Sequence, residues 1–233
     1  MTHPPPSGGR PGGPPPTPTR KRDAKATRDR LVRAALELFT SQGYHGTTTP
    51  VLAERAGVAE GTIYRHFTSK EQLLNEIYRA GVRLFTTALR ETAPGLPCRE
   101  RLESIAKGWR DIAARNPPVV RLVFVTELRG LLDARSRDAL KELREEIEKV
   151  IASGKGAGQV RAGSVEVWAD VWLELIRLVL QRVADKDWAP DHSAPQLVID
   201  SAWVAIATAG ASVAPSPPPS PSATSPPGPA AGG

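Results

Sequence analysis

Gly46–Lys70, GTTTPVLAERAGVAEGTIYRHFTSK, decides how the chain is to be read. Thr48 is placed to cap the open N–H groups of a short helix, Pro50 suits that helix's first turn, and Leu52, Ala53 and Ala56 give it one apolar face. Gly57 supplies the left-handed backbone of a sharp turn, Val58 fills its corner, and a second helix is predicted from about Glu60 to His66. The inner side of that helix needs only Ile63 and Phe67. Glu60, Gly61, Thr62, Tyr64, Arg65 and His66 are left facing outward, a set of hydrogen-bonding groups suited to a polar partner. The pattern is that of a helix-turn-helix.

The flanks extend the motif. Leu31, Ala34, Ala35, Leu38 and Phe39 make a helical stripe that ends at Gly43-Tyr44, and Ser69 with Gln72 forms a capping box that opens the next helix. Together these residues resemble a TetR-type transcriptional regulator over roughly Thr27 to Ile77, where the glycines, the Tyr-x-His-Phe run and the Ser-Lys after it fall in the family's register. Beyond that stretch the likeness is architectural.

Charge supports the division. Residues 1–90 carry 14 Lys/Arg against 7 Asp/Glu, whereas 91–233 carry 17 against 18, so a basic N-terminal third adjoins a near-neutral remainder. Eight of the 23 prolines lie in 1–18 and eight in 213–233, which sets apart residues 1–23 and 213–233 as disordered tails. A helix-turn-helix domain is expected over 24–70 and a C-terminal domain over 71–212. The one cysteine, Cys98, permits no intrachain disulfide, and no apolar run is long or uncharged enough for a signal peptide or a membrane span, so a cytoplasmic, nucleoid-associated location is expected.

Helical periodicity persists to about Ala211, so the fold is read as all-α with about nine helices. Ser69 to Arg90 is a long helix that links the DNA head to the body, and Leu102 to Ile112 marks the next, closed by Asn116-Pro117-Pro118. Val119–Leu132 is apolar on most sides, as a helix buried in a bundle would be. Ser136–Ser153 is amphipathic, with Leu140, Leu143, Ile147 and Val150 on one face, and a glycine-broken loop follows. The last two helices are expected at Ser164 to about Ala184, rich in Trp and Val, and Pro195 to about Ala211, lined by small residues. The family resemblance implies that these two pair with their symmetry mates in a homodimer.

If the second helix of the motif enters the major groove, Arg65 is the candidate reader of guanine O6 and N7. The resemblance implies further DNA contacts from Thr48, Thr49, Thr62, Tyr64, His66 and Lys70, with base edges near Glu60 and Gly61. Two positions depart from the family pattern. Pro50 replaces a long polar side chain, and Glu60 places a carboxylate near phosphates, where it either selects a cytosine through N4 or weakens general binding. Lys21, Arg22, Lys25 and Arg28, set before the first helix, form a basic arm that either reaches the DNA or is simply solvated.

The resemblance also implies a small-molecule effector in the body and a palindromic operator released when that effector binds, most simply by a repressor. Phe85, Trp109, Arg121, Phe124, Leu128, Trp168 and Trp172 are the candidates to line its pocket, with ordinary core packing as the alternative. Arg121 shares a face with Phe124, Val125, Leu128 and Leu132, so it either snorkels out or meets an acidic group or an anionic ligand. The competing readings are a regulator with no small-molecule inducer and a helical ligand-binding or catalytic bundle whose head has lost DNA readout. The four histidines are scattered, so neither catalysis nor a metal or other cofactor is expected.

Overall fold

The computed structural model describes residues 18–189 and 192–209. Nine α-helices occupy most of them: α1 Pro18–Ser41, α2 Thr49–Ala56, α3 Glu60–His66, α4 Lys70–Arg90, α5 Cys98–Arg115, α6 Pro117–Val120, α7 Ala134–Gly156, α8 Val165–Ala184 and α9 Ser193–Ile206. The all-α expectation holds. Helices α1 to α3 pack with the first turns of α4 into the head, and α4 then runs on into a bundle with α5, α7 and α8, with α9 laid against α8.

The head has a small core in which each large apolar side chain is used once. Leu31, Ala35 and Phe39 of α1, Leu52 of α2, Ile63 and Phe67 at α3, and Leu73 and Leu74 of α4 are all buried. The sequence placed the start of the folded chain at residue 24, but α1 already begins at Pro18, whose fixed φ suits a first turn. Lys21, Arg22 and Lys25 therefore lie within the first helix and not before it. Residues 1–17 and 210–233, which hold most of both proline-rich tails, fall outside the described residues.

The body departs from the sequence reading in three places. Residues 119–132 do not form one helix. Helix α6 passes into a π-turn at Arg121–Val125, where Thr126 N–H and Oγ1 both donate to the Arg121 carbonyl at 2.8 and 3.0 Å, and Thr126 itself is extended. A 3₁₀ turn at Arg129–Leu131 follows. All-round apolarity reported burial correctly, since Val120, Leu122, Val123 and Leu128 are buried, yet carried no information about where the helix breaks. On α7, which starts at an Asp133 cap and runs three residues into the predicted glycine loop, to Gly156, Leu143, Ile147 and Val150 are buried while Leu140 remains exposed.

Finally, α9 stops at Ile206. Ala207 forms an isolated antiparallel bridge with Val160, and Arg161 N–H donates to the Ile206 carbonyl at 2.9 Å, so the chain is turned out of the helix before Ala209. Ala211, the predicted end of that helix, lies outside the described residues.

Candidate nucleic-acid interface

Helix α2 ends at Gly57, whose φ of 63° is the left-handed conformation that a glycine adopts without strain. Gly57 N–H donates to the Glu54 carbonyl and Val58 N–H to the Ala53 carbonyl, both at 3.0 Å, which satisfies the last carbonyls and sets the sharp turn. Thr48 stands at the N-cap as expected, but its hydroxyl makes no capping bond. One of the two N–H groups such a cap normally serves is missing, because Pro50 occupies the second helical position. The exposed Thr48 hydroxyl is left for another partner, and Thr49 beside it is half-buried.

Helix α3 is held by two side chains. Ile63 and Phe67 are 2% and 1% exposed, and the rest of the helix stands clear. Tyr64 is 57% exposed, Glu60, Gly61 and Arg65 are exposed, and Thr62 and His66 are half-buried at the edges. No described residue bonds to the Tyr64 hydroxyl, the Arg65 guanidinium or the Glu60 carboxylate. A helix of seven residues with so little buried depends on its neighbours for its shape, and what it presents outward is a row of donors and acceptors.

Lys70 is used differently from its neighbours on the predicted contact surface. Its Nζ donates to the carbonyls of Tyr44 and Thr47, at 3.0 and 2.8 Å, and sits 4.2 Å from the centre of the Tyr44 ring. It ties the α1–α2 connection to the start of α4. Tyr44 Oη donates to Glu71 Oε1 at 2.6 Å, and that bond is the main reason the Glu71 carboxyl is held below its ordinary range. Burial, and then the same bond, push the Tyr44 hydroxyl upward. Ser69 accepts from Gln72 N–H at 3.1 Å, and the Gln72 side chain reaches back to Thr68 N–H, one residue beyond the reciprocal partner of a standard capping box. Of the basic arm, Arg28 turns inward, paired with Glu76 and 5.0 Å over the Phe67 ring, while Arg22 and Lys25 are exposed.

The candidate pocket residues separate into two groups. Phe85, Trp109 and Trp172 are almost wholly buried in an aromatic cluster, with Phe85–Trp109 ring centres 5.6 Å apart and Trp109–Trp172 6.0 Å apart. Trp109 Nε1 donates to the Phe85 carbonyl at 3.0 Å, so these three rings are core and line no large cavity. Trp168 lies under the Arg161 guanidinium, and Arg121 meets an acidic group, donating to Asp185 Oδ1 at 3.0 Å and to the Ala184 carbonyl at 2.9 Å. There it serves as a cation at the C-terminus of α8.

Phe124 and Leu128 do line a cavity. It holds about 540 Å³ between α4, the broken segment after α6, α7 and α8. Leu132, Leu140 and Leu173 complete an apolar wall, and Arg137, Arg144 and Arg177 stand with Glu127, Asp170 and Glu174 around it. Arg144 bridges Glu148 and Asp170, at 2.9 and 2.8 Å, and Arg177 pairs with Glu174 at 2.8 Å. The sequence reading placed Leu140 on the core face of its helix and did not single out Leu173, so neither stood among the candidate pocket residues.

Residues 31–77, from the middle of α1 to the first turns of α4, match the family model for "Bacterial regulatory proteins, tetR family". The regulator TcmR of Streptomyces glaucescens is 36% identical over 96 residues, 41% of either chain, and the repressor KstR2 of Rhodococcus jostii is 29% identical over 181 residues, 77% of this chain and 78% of that one. The chain carries a domain of the TetR family of bacterial regulatory proteins. The match spans well under half of TcmR. Solved TetR-family regulators from Shewanella sp. PV-4 and Marinobacter aquaeolei have the same all-helical fold, with TM-scores of 0.67 and 0.69 at 24% and 19% identity; they cover 78% and 81% of this chain and 99% and 98% of theirs. Among the described residues, no helix of this chain is long and apolar enough to cross a membrane.

Proposed function

We propose that the chain is a homodimeric repressor that reads a palindromic operator through α3 and is released by a small organic effector held in the body. The observation that carries this reading is α3 itself. Its outward face offers Glu60, Gly61, Tyr64 and Arg65 with no internal partner, anchored from below by Ile63 and Phe67. Arg65 is the reader of guanine, Tyr64, Thr48, Thr49, Thr62 and His66 serve the backbone, and Lys70 acts mainly by fixing the α1–α2 connection against α4.

Dimerisation is supported by apolar surface on the last two helices. Val167 and Leu178 on α8, and Leu197 and Val204 on α9, are 53%, 36%, 67% and 49% exposed. The effector reading is supported by the cavity, whose volume lies within the range of organic ligand sites and whose apolar wall meets a charged margin. That lining fits an amphipathic ligand with an apolar body. The curated relatives include a fatty acid metabolism regulator of Bacillus subtilis, 25% identical over 139 residues, which is in keeping with that chemistry.

The test is selection of random duplex DNA on the purified protein at near-physiological salt. The expected result is an enriched inverted repeat. Recovery of DNA without sequence preference, bound only through a steep salt dependence, would remove the operator reading and leave a head that binds phosphates alone.

A further inference from the structure

Helix α4 buries one polar side chain where its pattern calls for an apolar one. Asn75 is 3% exposed, between Leu74 and Tyr78, and a buried amide is tolerated only when its bonds are made. They are made to both sides. Nδ2 donates to the Leu131 carbonyl at 3.0 Å and to the Glu71 carbonyl at 2.9 Å, and Oδ1 accepts from Asp133 N–H at 2.8 Å. The amide thus grips residues 131–133, the end of the broken segment whose Leu128 and Leu132 wall the cavity.

The same segment is pinned again two turns along α4. A Cβ at Gly81 would lie 2.8 Å from Val123 Cγ2, so the π-turn and α4 are in direct contact there. Val123 is itself in the cavity wall, as is Tyr78, which lies on α4 between the two fixed points. Displacing the wall therefore means either moving α4 with it or breaking the Asn75 bonds. In the other direction, the Glu71 carbonyl takes Asn75 Nδ2 while the Glu71 carboxylate takes the Tyr44 hydroxyl, and Lys70 next to it holds Tyr44 and Thr47. Bonded contacts run from the cavity wall to the connection that seats α2 and α3.

We infer that Asn75 is the positioning residue through which occupancy of the cavity acts on the DNA head. This rests on the proposed effector cavity and deepens it. An apolar residue at position 75 would pack as well, but it would not transmit displacement of residues 131–133 into the first turn of α4. Coupling then resides in the Asn75 bonds to Leu131 and Asp133, which are made together only while residues 131–133 keep this position against α4.

A double-mutant cycle tests this without a known ligand. Leu173→Trp, on α8 across the cavity from Asn75's contacts, fills part of the space and is the probe; the readout is affinity for the duplex recovered by selection. Filling the cavity is expected to weaken DNA binding by about tenfold in the parent chain, and by less than about twofold when Asn75 is replaced by Ala. Asn75→Ser is the second variant, since its hydroxyl can still donate to the Glu71 carbonyl within the helix but is too short for Leu131 or Asp133. An equal loss with and without Asn75, in folded protein, overturns the inference and leaves the effector cavity standing. No loss in the parent removes the coupled cavity and the latch together.

Discussion

The head and the body of this protein use apolar side chains in opposite ways. In the head, Ile63 and Phe67 are nearly all that holds α3, and the polar face above them is left free. In the body, Phe85, Trp109 and Trp172 fill their space completely, and it is a half-open pocket beside them that stays empty of side chains. Phe124 marks the border, with its ring 4.8 Å from Phe85 on one side and the cavity on the other. The difference teaches that a recognition surface is made by burying little, whereas a cavity is made beside a cluster rigid enough not to collapse into it.

The largest expected effect breaks the body's half of that contrast. Trp109→Ala removes the centre of the cluster and a hydrogen bond to the Phe85 carbonyl, and is expected to cost about 3 to 5 kcal/mol of unfolding free energy. Val125→Ala, on the exposed rim of the same cavity, is expected to change stability by about 0.5 kcal/mol or less. Urea unfolding of both variants decides the matter. Equal losses would mean that rim and cluster form one packing unit and that the cavity is a defect of the core.

The head's half is broken by Arg65→Ala. Because the guanidinium has no internal partner, its loss is expected to leave the melting temperature unchanged while weakening binding to the selected duplex by about 1 to 3 kcal/mol and relaxing preference at one base pair. A uniform loss over all sequences would reassign Arg65 to phosphate.

How much of this was legible in the sequence follows the same division. Helix α3 was predicted residue for residue, because Gly57, the short apolar face and the cap at Ser69 are all local signals. The break after α6 was not. The segment is held by contacts to Gly81, Asn75 and Asp185, which lie far from residues 119–132 in the chain, and periodicity holds no trace of such contacts. Nor could the pattern show that Phe85, Trp109 and Trp172 close on one another while Phe124 faces a void, since all four have the same apolar signature. For Lys70, a cation beside a helix start fits a phosphate and a pair of carbonyls equally well, and only the fold reveals that the carbonyls of Tyr44 and Thr47 take it.

The smallest effect sharpens the comparison at the joint between the two regions. Tyr44→Phe deletes the hydroxyl that donates to Glu71 without disturbing the ring against Phe39 or Lys70. At neutral pH the cost is expected to be about 0.5 to 1.5 kcal/mol, that of one hydrogen bond to a charged group at a half-exposed site. The Glu71 carboxyl is held below its ordinary range, first by that hydroxyl. A carboxyl so depressed contributes stability that is fully present above the unfolded-state value, near 4.3, and is lost as pH falls through the folded-state value. The difference between parent and variant should therefore be constant above about pH 5 and shrink in acid as Glu71 is protonated in both. Thermal melts from pH 3 to pH 7 measure it. A gap that persists undiminished at pH 3 would mean that the hydroxyl acts through packing and not through the carboxylate.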